Sequence, residues 1–243
     1  MDPSMRQERF RRVEQKYLFP AGHTEMILAW LQHACLPDPR FPSSTVSSLY
    51  YDTPGLFHFY ESRNGDFVRA KVRLRWYEGP FRDIRQKGPD AAVRCYLEVK
   101  TKEGALSEKK RTEVTIPSRV LYDDPFSSSQ ILDLPARVLD LDFRPSGPLL
   151  PVLIVEYRRQ RYLDTDSQAS IAVDADIRCT QVNGTVVPGI PPVYFDVGVL
   201  ESKGMNRNSN GVLNPIASCL TKSPFSKYGI SLESLMKPLG RRV

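Results

Sequence analysis

The chain has 243 residues, 41% of them hydrophobic, which is enough to bury one full-sized core, and the expectation is a single domain over residues 1–243. Its 34 Lys and Arg against 28 Asp and Glu give a net charge of +6, which suits an acidic partner but is too mild a surplus to point to nucleic acid by itself. The four cysteines, Cys35, Cys95, Cys179 and Cys219, lie far apart with no CxxC pair and no histidine cluster, which argues against a zinc site or disulfide framework and for a reducing compartment. The basic N-terminus lacks the apolar core of a signal peptide, and no window approaches the roughly 20 apolar residues of a membrane helix. A soluble, cytoplasmic protein is expected.

Arg12 to Leu18 alternates as a first strand, with Glu14 and Lys16 on one face. Thr24 is placed to cap a helix over Met26 to Ala34 that ends before Pro37. Ser47 to Asp52 reads as a short strand closed by the turn Thr53–Gly55, and Leu56 to Arg63 as a short helix or turn. Phe67 to Tyr77 is a strand closed by Glu78-Gly79-Pro80. Tyr96 to Lys102 and Lys109 to Ile116 are the next two, with a turn at Gly104 between them. Pro117 to Arg144 is less regular, with helical pieces such as Ser129 to Leu141. Strands over Pro151–Leu163, Ile171–Ile177 and Val193–Lys203 and a terminal helix near Ser231–Lys237 complete the reading.

The strand RAKVRLRWY carries the most information. Side chains of a strand alternate between faces, so Arg69, Lys71, Arg73, Arg75 and Tyr77 share one face and Ala70, Val72, Leu74 and Trp76 the other. Neighbouring like charges at roughly 6–7 Å and an effective dielectric near 20 repel by about 2–3 kcal/mol before screening. A bound anion relieves that cost; a solvated sheet face is the competing reading, and this strand alone does not separate them.

The same parity recurs elsewhere: Glu14/Lys16, Glu98/Lys100/Lys102, Lys109/Arg111, Arg159/Arg161 and Glu201/Lys203. An open sheet with its charges in water gives this pattern, and so does a closed barrel with a charged bore. Acids mixed into a mainly basic face favour the barrel, because phosphates need Lys and Arg while a phosphate-bound Mg²⁺ or Mn²⁺ needs carboxylate oxygens.

In order along the chain stand ExKY (Glu14, Lys16, Tyr17), SxYYDT (Ser48–Thr53), KxRxRWY (Lys71–Tyr77), LEVKTK and EKKR (Leu97–Lys102, Glu108–Arg111), VEYRRQRY (Val155–Tyr162), Val173-Asp174, LESK (Leu200–Lys203) and FSKY (Phe225–Tyr228). This series resembles the VTC domain, the catalytic domain of vacuolar transporter chaperone polyphosphate polymerases, within the triphosphate tunnel metalloenzyme (CYTH-like) superfamily.

The resemblance implies an α+β fold, a closed antiparallel β-barrel (a triphosphate tunnel) with helices packed outside. It implies Lys16, Arg73, Arg75, Lys100, Arg159 and Lys227 as the catalytic cations, with Lys71, Lys110, Arg111, Tyr157, Lys203 and Ser226 as further phosphate contacts. Glu201 matches the family's metal-binding glutamate, and Glu14 and Glu98 are weaker matches for holding Mn²⁺ or Mg²⁺. The implied reaction moves the γ-phosphoryl group of ATP onto a growing inorganic polyphosphate chain, and a membrane-bound partner stays open. A tunnel-fold phosphohydrolase and a non-catalytic polyphosphate-binding module are the rival readings. The chain departs from the family pattern at Ser170 and Pro224, where basic residues are usual; Lys222 stands near the second.

Other candidates have plainer readings. His23, His33 and His58 form no spaced set and read as surface or loop residues. Trp30 and Trp76 read as packing residues, and Asp52 and Thr53 as a turn cap. Asp164, Asp166, Asp174 and Asp176 resemble an acidic metal cluster but read as turn residues at strand ends. The basic residues are not interleaved with exposed aromatics, which weighs against nucleic acid.

Overall fold

The computed structural model describes residues 13–79, 88–204 and 211–237. Arg12 and Pro80, expected at strand ends, lie outside them. The described residues form two compact units, each built mainly of antiparallel strands.

The first unit takes in residues up to Pro42 together with Arg159–Ala175 and Asp196–Pro224. Strand β1 (Val13–Pro20) leads to helix α1 (Thr24–Ala34) and to the short β2 (Leu36–Pro37). Thr24 does not cap the helix: its hydroxyl donates back to the Ala21 carbonyl at 2.7 Å, and the helix begins at Thr24 itself. The apolar stripe of α1 (Ile27, Leu28, Leu31) is buried with Phe19, Tyr162, Val173 and Leu200, and each such side chain contributes about 1.5–3 kcal/mol. Later in the chain come β7 (Leu150–Leu163) and β8 (Ser170–Val182), each of which has residues in both units. β9 (Val193–Tyr194) belongs to the second unit, and β10 (Val197–Gly204) and β11 (Thr221–Lys222) follow in the first.

Within the first unit β10 lies between β1 and β8, in a register that sets Lys16 opposite Glu201, Glu14 opposite Lys203, and Lys203 opposite Ser170. Gly198 faces Phe19 across β1–β10; a Cβ there would stand 2.0 Å from the ring, so the aromatic side chain packs against bare backbone.

The second unit contains β3 (Ser43–Asp52), α2 (Phe57–Asn64) and the meander β4 (Val68–Glu78), β5 (Ala92–Glu103) and β6 (Leu106–Pro117). It also holds the short helices α3 (Ser118–Tyr122) and α4 (Ser129–Leu132), a 3-10 segment at Leu134–Leu141, and α5 (Lys227–Met236). The expected alternation holds on the meander. Val72, Leu74, Trp76, Leu97 and Val99 are buried on one face, under Leu121, Ile131 and Val138. Trp76 is fully buried, as a packing residue, and its indole N–H donates to the Tyr122 hydroxyl at 3.0 Å. Helix α2 ends at Gly65, whose φ of +76° and N–H bond to the Glu61 carbonyl make a left-handed cap that a glycine adopts without steric cost.

The expected closed barrel is not what the strands make. Their hydrogen-bonded order is β11-β1-β10-β8-β7-β3-β4-β5-β6, an open path among the described residues, in a mostly antiparallel sheet with few helices. Closure is one way to protect strand edges; here the two ends are protected differently. β11 is only two residues long, and β6 carries Glu108, Lys109, Lys110, Arg111 and Glu113, whose charges discourage another strand from pairing. Parity reports which face is charged, and an open and a closed sheet share that signal. Among the described residues no helix is long and apolar enough to cross a membrane.

Candidate anion site and carboxylate ladder

The polar face of the second unit's meander brings Lys71, Arg73 and Arg75 of β4 beside Tyr96, Glu98 and Lys100 of β5 and Lys109 and Arg111 of β6, with Ser48 and Tyr50 of β3 on the other side of β4. Glu98 is the carboxylate at its centre. One oxygen accepts from Arg73 (Nη2 at 2.7 Å, Nε at 2.8 Å) and the other is 2.5 Å from the Lys109 ammonium. Burial alone would raise the Glu98 carboxyl, but Arg73, Arg75 and Lys109 outweigh it and hold it down at about 2. Lys109 is pushed down to about 8: burial is the largest cause and, with smaller pushes from Arg73 and Arg75, outweighs the upward pull of Glu98.

Arg75 is the exceptional cation. It is 6% exposed, its Nε donates to the neutral Ser48 hydroxyl at 3.0 Å, and among the described residues no carboxylate lies within ion-pairing distance of it. A buried guanidinium in this setting is costly until an anion arrives.

The FSKY segment borders this face. Ser226 caps α5, accepting from Gly229 N–H at 3.2 Å and from the Lys71 ammonium at 2.9 Å. The Lys227 ammonium lies 4.5 Å from the centre of the Tyr157 ring, a cation–π contact. Tyr228 stacks on Tyr50 at 4.9 Å and donates to Asp52 at 2.8 Å. Asp52 also accepts from the backbone N–H groups of Thr53, His58 and Phe59, so it holds the start of α2 and the start of α5 at once. It is the turn cap that its sequence position implied, and more.

The first unit carries a different arrangement. Lys16 lies 3.1 Å from Glu201 and 3.3 Å from Glu14, and Lys203 is 3.9 Å from Glu14 and 3.8 Å from Glu201. Arg159 grips the fully buried Asp174 through two bonds of 2.5 and 2.7 Å and stands 3.9 Å from Glu201. Burial alone would lower the Lys16 ammonium, but Glu201 and Glu14 overcome it and the net shift is upward. Cations and carboxylates alternate here in near balance.

A family model described as VTC domain matches residues 11–236. The chain belongs to the VTC-domain family. Among curated proteins none matches it. Solved structures similar to this VTC-domain chain include a candidate adenylate cyclase from Bacillus halodurans, 13% identical with a TM-score of 0.48, covering 88% of this chain and 93% of that one. Another candidate adenylate cyclase, from Vibrio parahaemolyticus, is 13% identical with a TM-score of 0.43, covering 90% and 96%.

The VTC-domain chain thus places Lys71, Arg73, Arg75, Lys100, Arg111, Tyr157, Ser226 and Lys227, with Glu98, in the second unit, and Glu14, Lys16, Arg159, Glu201 and Lys203 in the first. Arg111 lies over the Tyr96 ring at 4.8 Å. Lys110 stands apart: it is opposite Val99 in the register, on the other face of β6, and bonds Asp142 at 3.0 Å. The cation that reaches Glu98 is Lys109, and its shared parity with Arg111 was the signal for it. Lys222, the possible substitute beside Pro224, is exposed on β11 opposite Tyr17.

Two expectations change. His58 is buried rather than superficial, with Nδ1 3.0 Å from Glu61. Asp174 is neither turn residue nor member of an acidic cluster but the buried partner of Arg159, whereas Asp164 is a turn residue that accepts from Asp166 N–H and Ser167.

Among the described residues no group of three or more His, Cys, Asp and Glu is placed to hold a metal ion. A hard divalent cation on a polyphosphate needs only one or two carboxylates, the phosphate oxygens and water supplying the rest. Glu201 and Glu14, on neighbouring strands of one sheet face, are a donor set of that kind. Both oxygens of Glu98 are on cations, and so are those of Glu14 (Lys16 and Lys203) and Glu201 (Lys16, Lys203 and Arg159), so a metal at any of them would displace a cation.

Proposed function

We propose that this VTC-domain chain is a polyphosphate polymerase that transfers the γ-phosphoryl group of ATP to a growing inorganic polyphosphate chain with Mn²⁺ or Mg²⁺. The observation that carries the reading is buried Arg75, which among the described residues has a neutral hydroxyl and no carboxylate within ion-pairing distance, beside an Arg73 whose own carboxylate is shared. Family membership over residues 11–236 supports it.

Phosphoryl transfer asks little covalent chemistry of a protein; positioning and charge neutralisation do most of the work. Arg73 and Arg75 offer planar forks for phosphate oxygens, which lysine cannot reproduce, and Lys71, Lys100 and Lys227 add point charges. On the first unit's own face the proposal assigns Lys16 and Arg159 as cations. Glu201 and Glu14 would hold the divalent ion, which supplies charge neutralisation on the phosphates when bound.

The test is incubation of the chain with ATP and Mn²⁺, reading ADP, free phosphate and polymer together. ADP with polyphosphate supports the polymerase. Free phosphate without polymer makes it a hydrolase, and tight binding without turnover makes it a binding module; either result overturns the proposed reaction.

A further inference from the structure

Arg111, expected as a phosphate contact, makes no ion pair among the described residues. The nearby carboxylates are taken. Glu98, opposite it in the β5–β6 register, is held by Arg73 and Lys109, and Glu113, two positions along β6, lies 3.2 Å from Arg94. The Arg111 guanidinium carbon stands instead over the Tyr96 ring, 4.8 Å from its centroid. Tyr77 braces that ring edge-on, with centroids 6.2 Å apart and 66° between the planes. Arg111 is exposed and the two tyrosines are half-buried, so the stack lies at the surface rather than in the core.

Its place on the meander gives the stack its meaning. Tyr96 is opposite Arg75 in the β4–β5 register, and Tyr77 follows Arg75 by two positions on the same face of β4. Along that face the order is Tyr77, Arg75, Arg73, Lys71, each about 6.6–6.8 Å from the next at the rise of an antiparallel strand. Aromatic surface therefore stands at one end of the cation row. At the other end Lys71 is opposite Lys100 and Lys100 opposite Lys109, with no ring in that row. A plain phosphate chain has no use for an aromatic end; a nucleotide has, because its base and its phosphates are two ends of one molecule. Tyr50 and Tyr228, the other stacked pair on this face, are 4% and 2% exposed and cover each other, which leaves no plane open for a base.

We propose that Tyr96 and Arg111 form a nucleobase platform: the adenine of ATP lies on the outward plane of the Arg111 guanidinium, which Tyr96 backs, while the phosphates run from Arg75 toward Arg73 and Lys71. This rests on reading the face as a phosphate site. A guanidinium is planar and weakly hydrated, and bases stack on it as they do on aromatic rings. Seated on a tyrosine, it is held in one orientation, as a free surface arginine is not. Stacking asks for a π-face rather than particular base edges, so the platform takes nucleoside triphosphates as a class. One platform accommodates one base, which suits a mononucleotide rather than a strand. It also fixes the direction in which the nucleotide lies, with the γ-phosphoryl group at the lysine end.

The experiment compares ATP with inorganic tripolyphosphate, which shares the phosphates and lacks the base, by calorimetry on the full chain at one fixed Mg²⁺ concentration. Tyr96→Ala should weaken ATP binding about tenfold and leave tripolyphosphate within about twofold. Arg111→Lys keeps the charge and loses the plane; it should show the same split, whereas a phosphate contact alone would weaken both ligands together or neither. Tyr96→Phe keeps the ring under Arg111 and should bind both ligands as the unaltered chain does. Unchanged ATP affinity in folded Tyr96→Ala, or a loss equal for the two ligands, overturns the platform. Absence of tripolyphosphate binding in the unaltered chain overturns the phosphate-site reading instead; ATP binding that Tyr96→Ala still weakens would then uphold the platform on its own.

Discussion

The two charged faces of this chain are built from the same strand alternation yet hold their charge in opposite ways. On the first unit's face, Lys16, Lys203 and Arg159 meet Glu14, Glu201 and Asp174, so cations and carboxylates nearly cancel before any ligand arrives. On the second unit's face, Glu98 is shared between Arg73 and Lys109, and among the described residues Arg75 has only the Ser48 hydroxyl as hydrogen-bond partner. A balanced ladder is stable as it stands; an unbalanced one leaves positive charge that an anion would complete. Alternation sets which residues share a face, and only the count of acids against bases on that face separates the two.

That contrast can be broken by substitution. The largest effect is expected for Arg75→Ala: tripolyphosphate affinity should fall about a hundredfold, as when one partner of a desolvated charge pair is removed. Unchanged affinity in a folded Arg75→Ala protein would sink the anion-site reading.

Glu98 comes next. Its carboxyl is depressed from an ordinary 4.5 to about 2, so the stability it gives is complete above the unfolded value and drains away as pH falls toward 2. The full span is about 3 kcal/mol. Glu98→Gln should therefore destabilise the chain to denaturant at neutral pH by about that amount and flatten its acid limb. An acid limb that keeps its shape in Glu98→Gln assigns that stability to other groups.

On the balanced face, Glu201→Ala should raise the Mn²⁺ concentration that ATP binding requires by at least about tenfold, the scale on which even outer partners of a metal act. Tripolyphosphate binding in chelator should hardly change. If chelated binding collapses as well, the division of labour between the two faces is wrong.

The smallest effect belongs to Ser226→Ala, which removes the α5 cap and should lower stability by about 1 kcal/mol in urea titration. A loss of several times that would mean that its bond with Lys71 matters more than the cap.

Much of this was legible in the residues. The alternation in RAKVRLRWY separated Arg73 and Arg75 from Val72, Leu74 and Trp76 correctly, because a two-residue period survives any tertiary setting. Closure was not legible: the ends of the sheet depend on which strand finds a partner, and charge parity is silent about that. Asp174 was misread because a lone aspartate near a strand end looks like a turn residue until the strand paired beside it brings Arg159 across. Lys110 was matched by motif position, while the side of β6 on which it stands is set by the register opposite Val99.

The contact between Lys71 and Ser226 spans 155 residues of chain. A ribosome adding about 5–20 residues per second takes roughly 8–30 s to cover that distance. For that interval the β4 arginines exist in the cell without the segment that brings Ser226, Lys227 and Tyr228 to them. The charged β6 edge, which follows β4 by some thirty residues, supplies Glu98's second cation long before the FSKY segment arrives. The order in which the site is assembled is therefore written into the order of synthesis: the cations first, their shared carboxylate next, and the aromatic and lysine border last.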